Sequence, residues 1–211
     1  LTLIEKMGLP NLPKAIGLFI LINGVCVLNA QTGVLDSTFN ADGVHRFDFG
    51  FNENDNCVGS LVQVDGKIFS FGWTNSSITS TDIAVLRFSS DGSLDTDFGG
   101  DGYITFSENN NFESELAGDV AMQKDKKIIL LGRKLTSGED DVCLLRILPD
   151  GTPDSTFGQH GWVFTDLGSN FEAGLSVDIQ TDQKIVVTAN DDLFEPNLIL
   201  LRYDPSGSLD T

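Results

Sequence analysis

From Val44 onward, apolar residues come in short runs separated by Gly, Asp and Asn. Runs of about 5–7 residues with that punctuation are the pattern of meandering hairpins, and helical periodicity is scarce. The runs recur in sets of four. A first strand is predicted at Val44 to Phe49, Tyr103 to Phe106 and Trp162 to Thr165. A second is predicted at Val58 to Gln63, Ala117 to Gln123 and Leu175 to Gln180. After tight turns at 64–66, 124–126 and 181–183, a third begins at a lysine: Lys67 to Phe71, Lys127 to Leu131 and Lys184 to Thr188. The fourth is Ile83 to Phe88, Val142 to Leu148 and Leu198 to Tyr203. Ile128-Ile129-Leu130-Leu131 and Leu198-Ile199-Leu200-Leu201 do not alternate, which predicts strands buried on both faces.

An Asp-rich corner punctuates the sets. Its fullest copy is Asp91-Gly92-Ser93-Leu94-Asp95-Thr96-Asp97-Phe98-Gly99-Gly100-Asp101-Gly102, with relatives at 33–43 and 150–161 and a fourth starting at Gly207. Leu35 to Leu94 and Leu94 to Pro153 are each 59 residues, and Pro153 to Leu209 is 56. A fixed period of that size marks a repeat architecture. Four short strands per repeat is the content of a propeller blade, buried by neighbours on both faces. The predicted fold is therefore all-β. It is a β-propeller of about 59-residue four-stranded blades at about 35–93, 94–152 and 153–208, with a fourth blade beginning at Leu209. Because propellers close with about 4–8 blades, this is expected to be a truncated set of about three.

Leu94-Asp95-x-x-Phe98-Gly99, Gln63-x-Asp65-Gly66-Lys67-Ile68 and Leu86-Arg87-Phe88 together resemble the delta-60 repeat family, over essentially all of residues 33 to 211. The sequence departs from that pattern where Lys126 and Gln183 replace the turn glycine, Ala189 replaces the glycine of Gly72 and Gly132, and Pro153 replaces leucine. The resemblance implies bacterial, mostly exported β-propeller proteins with no agreed biochemical activity.

The N-terminus reads as a leader. One apolar run of 14 residues, Ala15 to Leu28, follows Lys14. That is short of the roughly 20 residues a membrane span needs and within the roughly 7–15 of a secretory signal. Residues 1–30 are accordingly read as upstream residues plus a signal peptide starting at Met7 and cut after Ala30, leaving mature repeats at 31–211. A secreted, extracellular or cell-surface location follows, with no membrane span after cleavage. Lipidation at Cys26 is disfavoured by the bulky Val25 before it. Cys57 and Cys143 occupy unmatched repeat positions and are read as buried thiols rather than a disulfide framework.

Charge narrows the partners. With 31 acidic and 13 basic side chains the net charge is −18, which repels phosphate backbones and anionic membranes. Nucleic acid is excluded as a partner class, and a complete propeller is expected to be monomeric.

Repeated chemistry-bearing residues are first given structural readings. Asp36, Asp95, Asp154 and Asp210 are expected to accept backbone N–H bonds in their corners, with Phe39, Phe98 and Phe157 packing three residues on. Arg87, Arg146 and Arg202 are expected to pair with the aspartate eight residues ahead, because buried charges need partners. The alternative at the corner is a calcium loop of Asp95, Asp97 and Asp101, present in one repeat only. His45 and His160 sit at non-equivalent positions without metal-ligand spacing, and no nucleophile elbow, P-loop or dinucleotide fingerprint occurs. No enzyme and no cofactor are expected.

The variable segments are more informative: Gly50 to Asn56, Ser107 to Ser114, Asp166 to Glu172, Trp73 to Thr81, Arg133 to Glu139 and Asn190 to Pro196. A meander places all of them at one end. They are polar, with Phe51, Trp73, Phe112, Phe171 and Phe194 interspersed, a composition suited to protein or glycan contact. The expected function is an exported non-catalytic module for binding or scaffolding. The alternative is an accessory domain of a secreted enzyme whose catalytic part lies beyond Thr211.

Overall fold

The computed structural model describes residues 33–50, 54–76, 80–107, 114–135, 138–191, 194–195 and 197–210. The leader at 1–30, Phe51 and Phe112 lie outside the described residues. Of the segment Leu1–Leu35, residues 33–35 are described and form no regular element; the strands all fall in the unit Asp36–Thr211. These are β1 (Asp55–Val62), β2 (Ile68–Ser76), β3 (Ser80–Phe88), β4 (Tyr103–Phe106), β5 (Ser114–Met122), β6 (Ile128–Leu135), β7 (Asp140–Ile147), β8 (Trp162–Thr165), β9 (Ala173–Ile179), β10 (Ile185–Asn190) and β11 (Leu198–Tyr203). None of the described residues is helical, and so none forms a helix long and apolar enough to cross a membrane.

The strands form three antiparallel meanders, β1-β2-β3-β4, β5-β6-β7-β8 and β9-β10-β11. The meanders are offset from the sequence repeat. β4 follows the Asp corner yet pairs with β3 before it, Ile83 facing Phe106 and Leu86 facing Tyr103. β8 does the same with β7. Blade edges at 35–93, 94–152 and 153–208 are therefore corrected: the sheets run 55–106, 114–165 and 173–203. The corner causes the offset by reversing the chain. Arg87 donates its amide to Gly102 and accepts one from Asp95, so the next strand is laid back along β3. The strand predicted at Val44 to Phe49 does not form, because those residues have no ladder partner among the described residues. They lie instead over the first sheet, His45 against Phe88 at 4.7 Å and Phe47 against Tyr103 at 4.8 Å.

The first strand of each sheet, β1, β5 and β9, carries a β-bulge at the same place, between Cys57 and Gly59, Ala117 and Asp119, and Gly174 and Ser176. Close packing explains the glycine at the centre of the first pair: a Cβ on Gly72 would sit 1.8 Å from the Asn56 carbonyl.

Two apolar layers hold the sheets. The first joins Phe69, Phe71, Ile83 and Val85 to Ile128, Leu130, Cys143 and Leu145. The second joins Ile129, Leu131, Val142 and Leu144 to Val177, Ile185, Val187 and Tyr203. Successive residues of β6 thus serve opposite layers, as the non-alternating run predicts. Each buried Ile or Leu there contributes roughly 1.5–3 kcal/mol. The same expectation fails for β11. Leu198 and Leu200 are 81% and 70% exposed, because one face of the third sheet packs on the second and the other is uncovered. The three sheets do not close into a ring.

Candidate functional site at the variable end

The two ends of the blades differ in kind. One end holds the short β1–β2, β5–β6 and β9–β10 turns and the Asp corners; the other holds the β2–β3, β4–β5, β6–β7, β8–β9 and β10–β11 connections.

At the corner end, three of the four Asp corners build the same ion cluster. Asp95 Oδ2 accepts from Arg87 Nε at 2.5 Å and from Lys67 Nζ at 2.6 Å. Asp154 does so from Arg146 at 2.8 Å and Lys127 at 3.1 Å, and Asp210 from Arg202 at 2.6 Å and Lys184 at 2.7 Å. The Arg–Asp pairs are those expected from the eight-residue spacing. The lysines that open each third strand are the member that sequence reasoning missed, although their recurrence at 67, 127 and 184 was visible. The second carboxylate oxygen caps the turn: Asp36, Asp95 and Asp154 Oδ1 accept the amides of Thr38, Asp97 and Thr156. Burial pushes the Asp154 carboxyl up, but the Thr156 hydroxyl and amide, Lys127 and Arg146 together outweigh it and hold it far below the usual carboxylate range. Asp95 is lowered in the same way, burial being outweighed by Lys67, Arg87 and the Asp97 amide.

The corners also stitch one repeat to the next. Arg87 Nη1 donates to the Pro149 carbonyl at 2.5 Å, and Arg146 Nη1 to that of Pro205 at 2.5 Å. Phe98 and Phe157 are fully buried, beneath their own arginines (4.9 and 4.4 Å) and against Gly151 and Gly207 of the following corner. Phe39 makes the same approach to Gly92 but is only half-buried. This occupancy corrects the calcium reading of Asp95, Asp97 and Asp101. Asp95 already accepts two cationic side chains and an amide, while Asp97 and Asp101 are exposed. The corner is structural.

The variable end is differently made. Phe194 stands 89% exposed, while Trp73 on β2 and Phe171 before β9 are half-buried. The Arg133 guanidinium lies 4.9 Å over the Phe171 ring and also meets Asp140 at 3.1 Å. The 166–172 connection is fixed to its neighbour by Ser169 Oγ, which donates to the Asp191 carbonyl, and Asp191 in turn accepts from the Asn197 amide at 3.0 Å. Aromatic surface is thus presented on connections held by polar bonds. Cys57 is exposed, correcting its reading as buried; Cys143 is buried, and no disulfide joins them. A cavity of about 370 Å³ between residues 45–49 and the first sheet is mostly apolar, its carboxylate Asp55 already accepting from Thr74 and the Phe49 amide. Its other polar lining includes His45, Cys57 and Ser70, with the Cys57 thiol 3.2 Å from Ser70 Oγ.

Stacked antiparallel meanders, the first two with their last strand taken from the following repeat, define this chain as a β-propeller repeat protein. The family described as "Domain of unknown function (DUF5122) beta-propeller", the family of the delta-60 repeats, has a model that matches residues 63–98 and 123–157. Each matched stretch runs from the end of a sheet's first strand, β1 or β5, to a corner phenylalanine and includes one complete Lys–Arg–Asp cluster. No curated protein matches the chain.

Proposed function

We propose that this chain is an exported, non-catalytic propeller module that contacts protein or glycan partners through its variable end. The observation that carries this reading is the division of labour between the two ends. Each of the three sheets builds the same Lys–Arg–Asp cluster at the corner end, whereas the opposite connections differ in sequence and present Phe194, Trp73 and Phe171 among polar residues. Loops on a rigid scaffold are the usual place for recognition, and amphipathic aromatics among polar groups suit carbohydrate or protein surfaces. The net charge of −18 points the same reading away from nucleic acid. The test is a glycan and surface-protein array probed with the chain and with Phe194→Ser. Signals that fall at least tenfold in the variant support the proposal; binding that is equal in both, or no binding on either array, overturns it.

A further inference from the structure

A second group of acidic side chains lies at the variable end, away from the corners. Asp141 on β7, Asp166 after β8 and Glu172 before β9 each bring one carboxylate oxygen to within 4.8 Å of the others. Acidic side chains often gather on a surface this negative, but Glu172 is not on the surface. It is 0% exposed. Its Oε1 accepts the Ser169 amide at 2.8 Å, while Oε2 is buried without a hydrogen-bond partner among the described residues. The Glu172 amide donates to the Asp140 carbonyl at 2.9 Å, which delivers this carboxylate beside Asp141. A buried carboxylate with one oxygen unpartnered is costly unless it is neutralised or meets a cation.

Burial, then Glu172 and Asp166, push the Asp141 carboxyl up; Lys134 opposes this and Glu139 adds to it. The Lys134 ammonium sits 4.4 Å over the Phe164 ring, and Arg133 is engaged by Asp140 and Phe171. Asp166 Oδ1 accepts the Gly168 amide at 2.6 Å, which leaves its other oxygen open on the exposed side.

We propose that Asp141, Asp166 and Glu172 form a binding site for a hard divalent cation, calcium above all, where the second blade connects to the third. Calcium–oxygen bonds are about 2.3–2.6 Å, so two oxygens on one ion stand at most about 5 Å apart, which matches the observed spread. The donor set is all oxygen, without imidazole or thiolate, and this favours calcium or magnesium over zinc or copper. Water entering past Asp166 completes the coordination. One site per chain is expected: Asp82 and Glu113 stand 59 residues before Asp141 and Glu172, but Ser107 replaces Asp166. The spacing of 25 and then 6 residues resembles no contiguous calcium loop, so only the fold brings the three together.

The test is calorimetric titration of the chelator-stripped chain with calcium chloride and, separately, magnesium chloride, alongside thermal melts. We expect one calcium per chain with a Kd of about 10⁻⁴–10⁻³ M, the range of extracellular modules, and a melting temperature that rises with calcium. Asp166→Asn should weaken calcium binding at least tenfold. Glu172→Gln should abolish the calcium-dependent rise while melting no lower than the parent without calcium, because the lone buried charge is gone. Absence of both heat and a melting shift up to about 10 mM calcium overturns the site. Unchanged affinity in both variants places the ion elsewhere and overturns it equally.

Discussion

Replacing Arg146 with leucine removes the central side chain of the buried ion cluster. Arg146 is 4% exposed and gives its Nε to Asp154, its Nη1 to the Pro205 carbonyl and its Nη2 to Thr156 Oγ1 at 3.2 Å, with its guanidinium over Phe157. Breaking a buried pair from one side costs about 3–5 kcal/mol because the remaining charge is stranded. Asp154 keeps Lys127 and the Thr156 amide and hydroxyl, so the loss belongs at the lower limit, about 3 kcal/mol. For a chain of this size that lowers the melting temperature by roughly 6–12 °C. Arg202 makes the same contact with Asp210 but its side chain is 48% exposed, and a solvated pair contributes about 0–1 kcal/mol. Arg202→Leu should therefore be nearly silent. Urea denaturation followed by circular dichroism on both variants measures the difference, with Arg146→Lys as an intermediate that keeps the charge but not the fork. Equal losses in the two leucine variants, or a loss below about 0.5 kcal/mol for Arg146→Leu, would refute the reasoning that burial sets the value of the pair.

Acid should act through the same clusters. Asp95 and Asp154 titrate lower in the folded chain than their usual value, so their contribution is present above that ordinary value of about 3.9 and is lost as pH falls through the folded values. Melting temperatures level from pH 7 to 5 and falling steeply below about pH 4 are expected; a flat profile down to about pH 2.5 contradicts the assignment. Lys126 holds φ 67° in the turn where the first repeat has Gly66 at φ 84°, and a left-handed L-residue costs about 1–2 kcal/mol. Lys126→Gly should raise the unfolding free energy by about 0.5–1 kcal/mol once glycine's greater unfolded-state entropy is subtracted, and a decrease would count against strain at this turn. Gly72→Ala drives a methyl onto the Asn56 carbonyl and should cost about 3 kcal/mol in the same assay, whereas no loss would mean that the β1–β2 bulge yields freely.

Much of this protein is written locally. β4 and β8 fall where the apolar runs at Tyr103–Phe106 and Trp162–Thr165 predict them, because each is bounded by glycine-rich turns on one side and polar residues on the other. The Asp turns and the Arg–Asp pairs were legible for the same reason: the partners lie two or eight residues apart, across one corner. Pairing between distant segments was not legible. Nothing in residues 44–49 distinguishes them from β4; they lack the neighbouring strand that makes an extended segment a strand. Leu198 to Leu201 reads like Ile128 to Leu131, yet the first is half exposed and the second fully buried, because burial is set by what lies across the sheet face. The lysine of each cluster reaches an aspartate 26–28 residues away, and the Asp141–Asp166–Glu172 group gathers three side chains from three segments. The sequence alone therefore determined the repeat, the turns and the short-range ion pairs, all fixed by backbone geometry over a few residues. The tertiary structure decided the offset of blade from repeat, the exposed face and the acidic cluster, because each depends on which distant surfaces pack together.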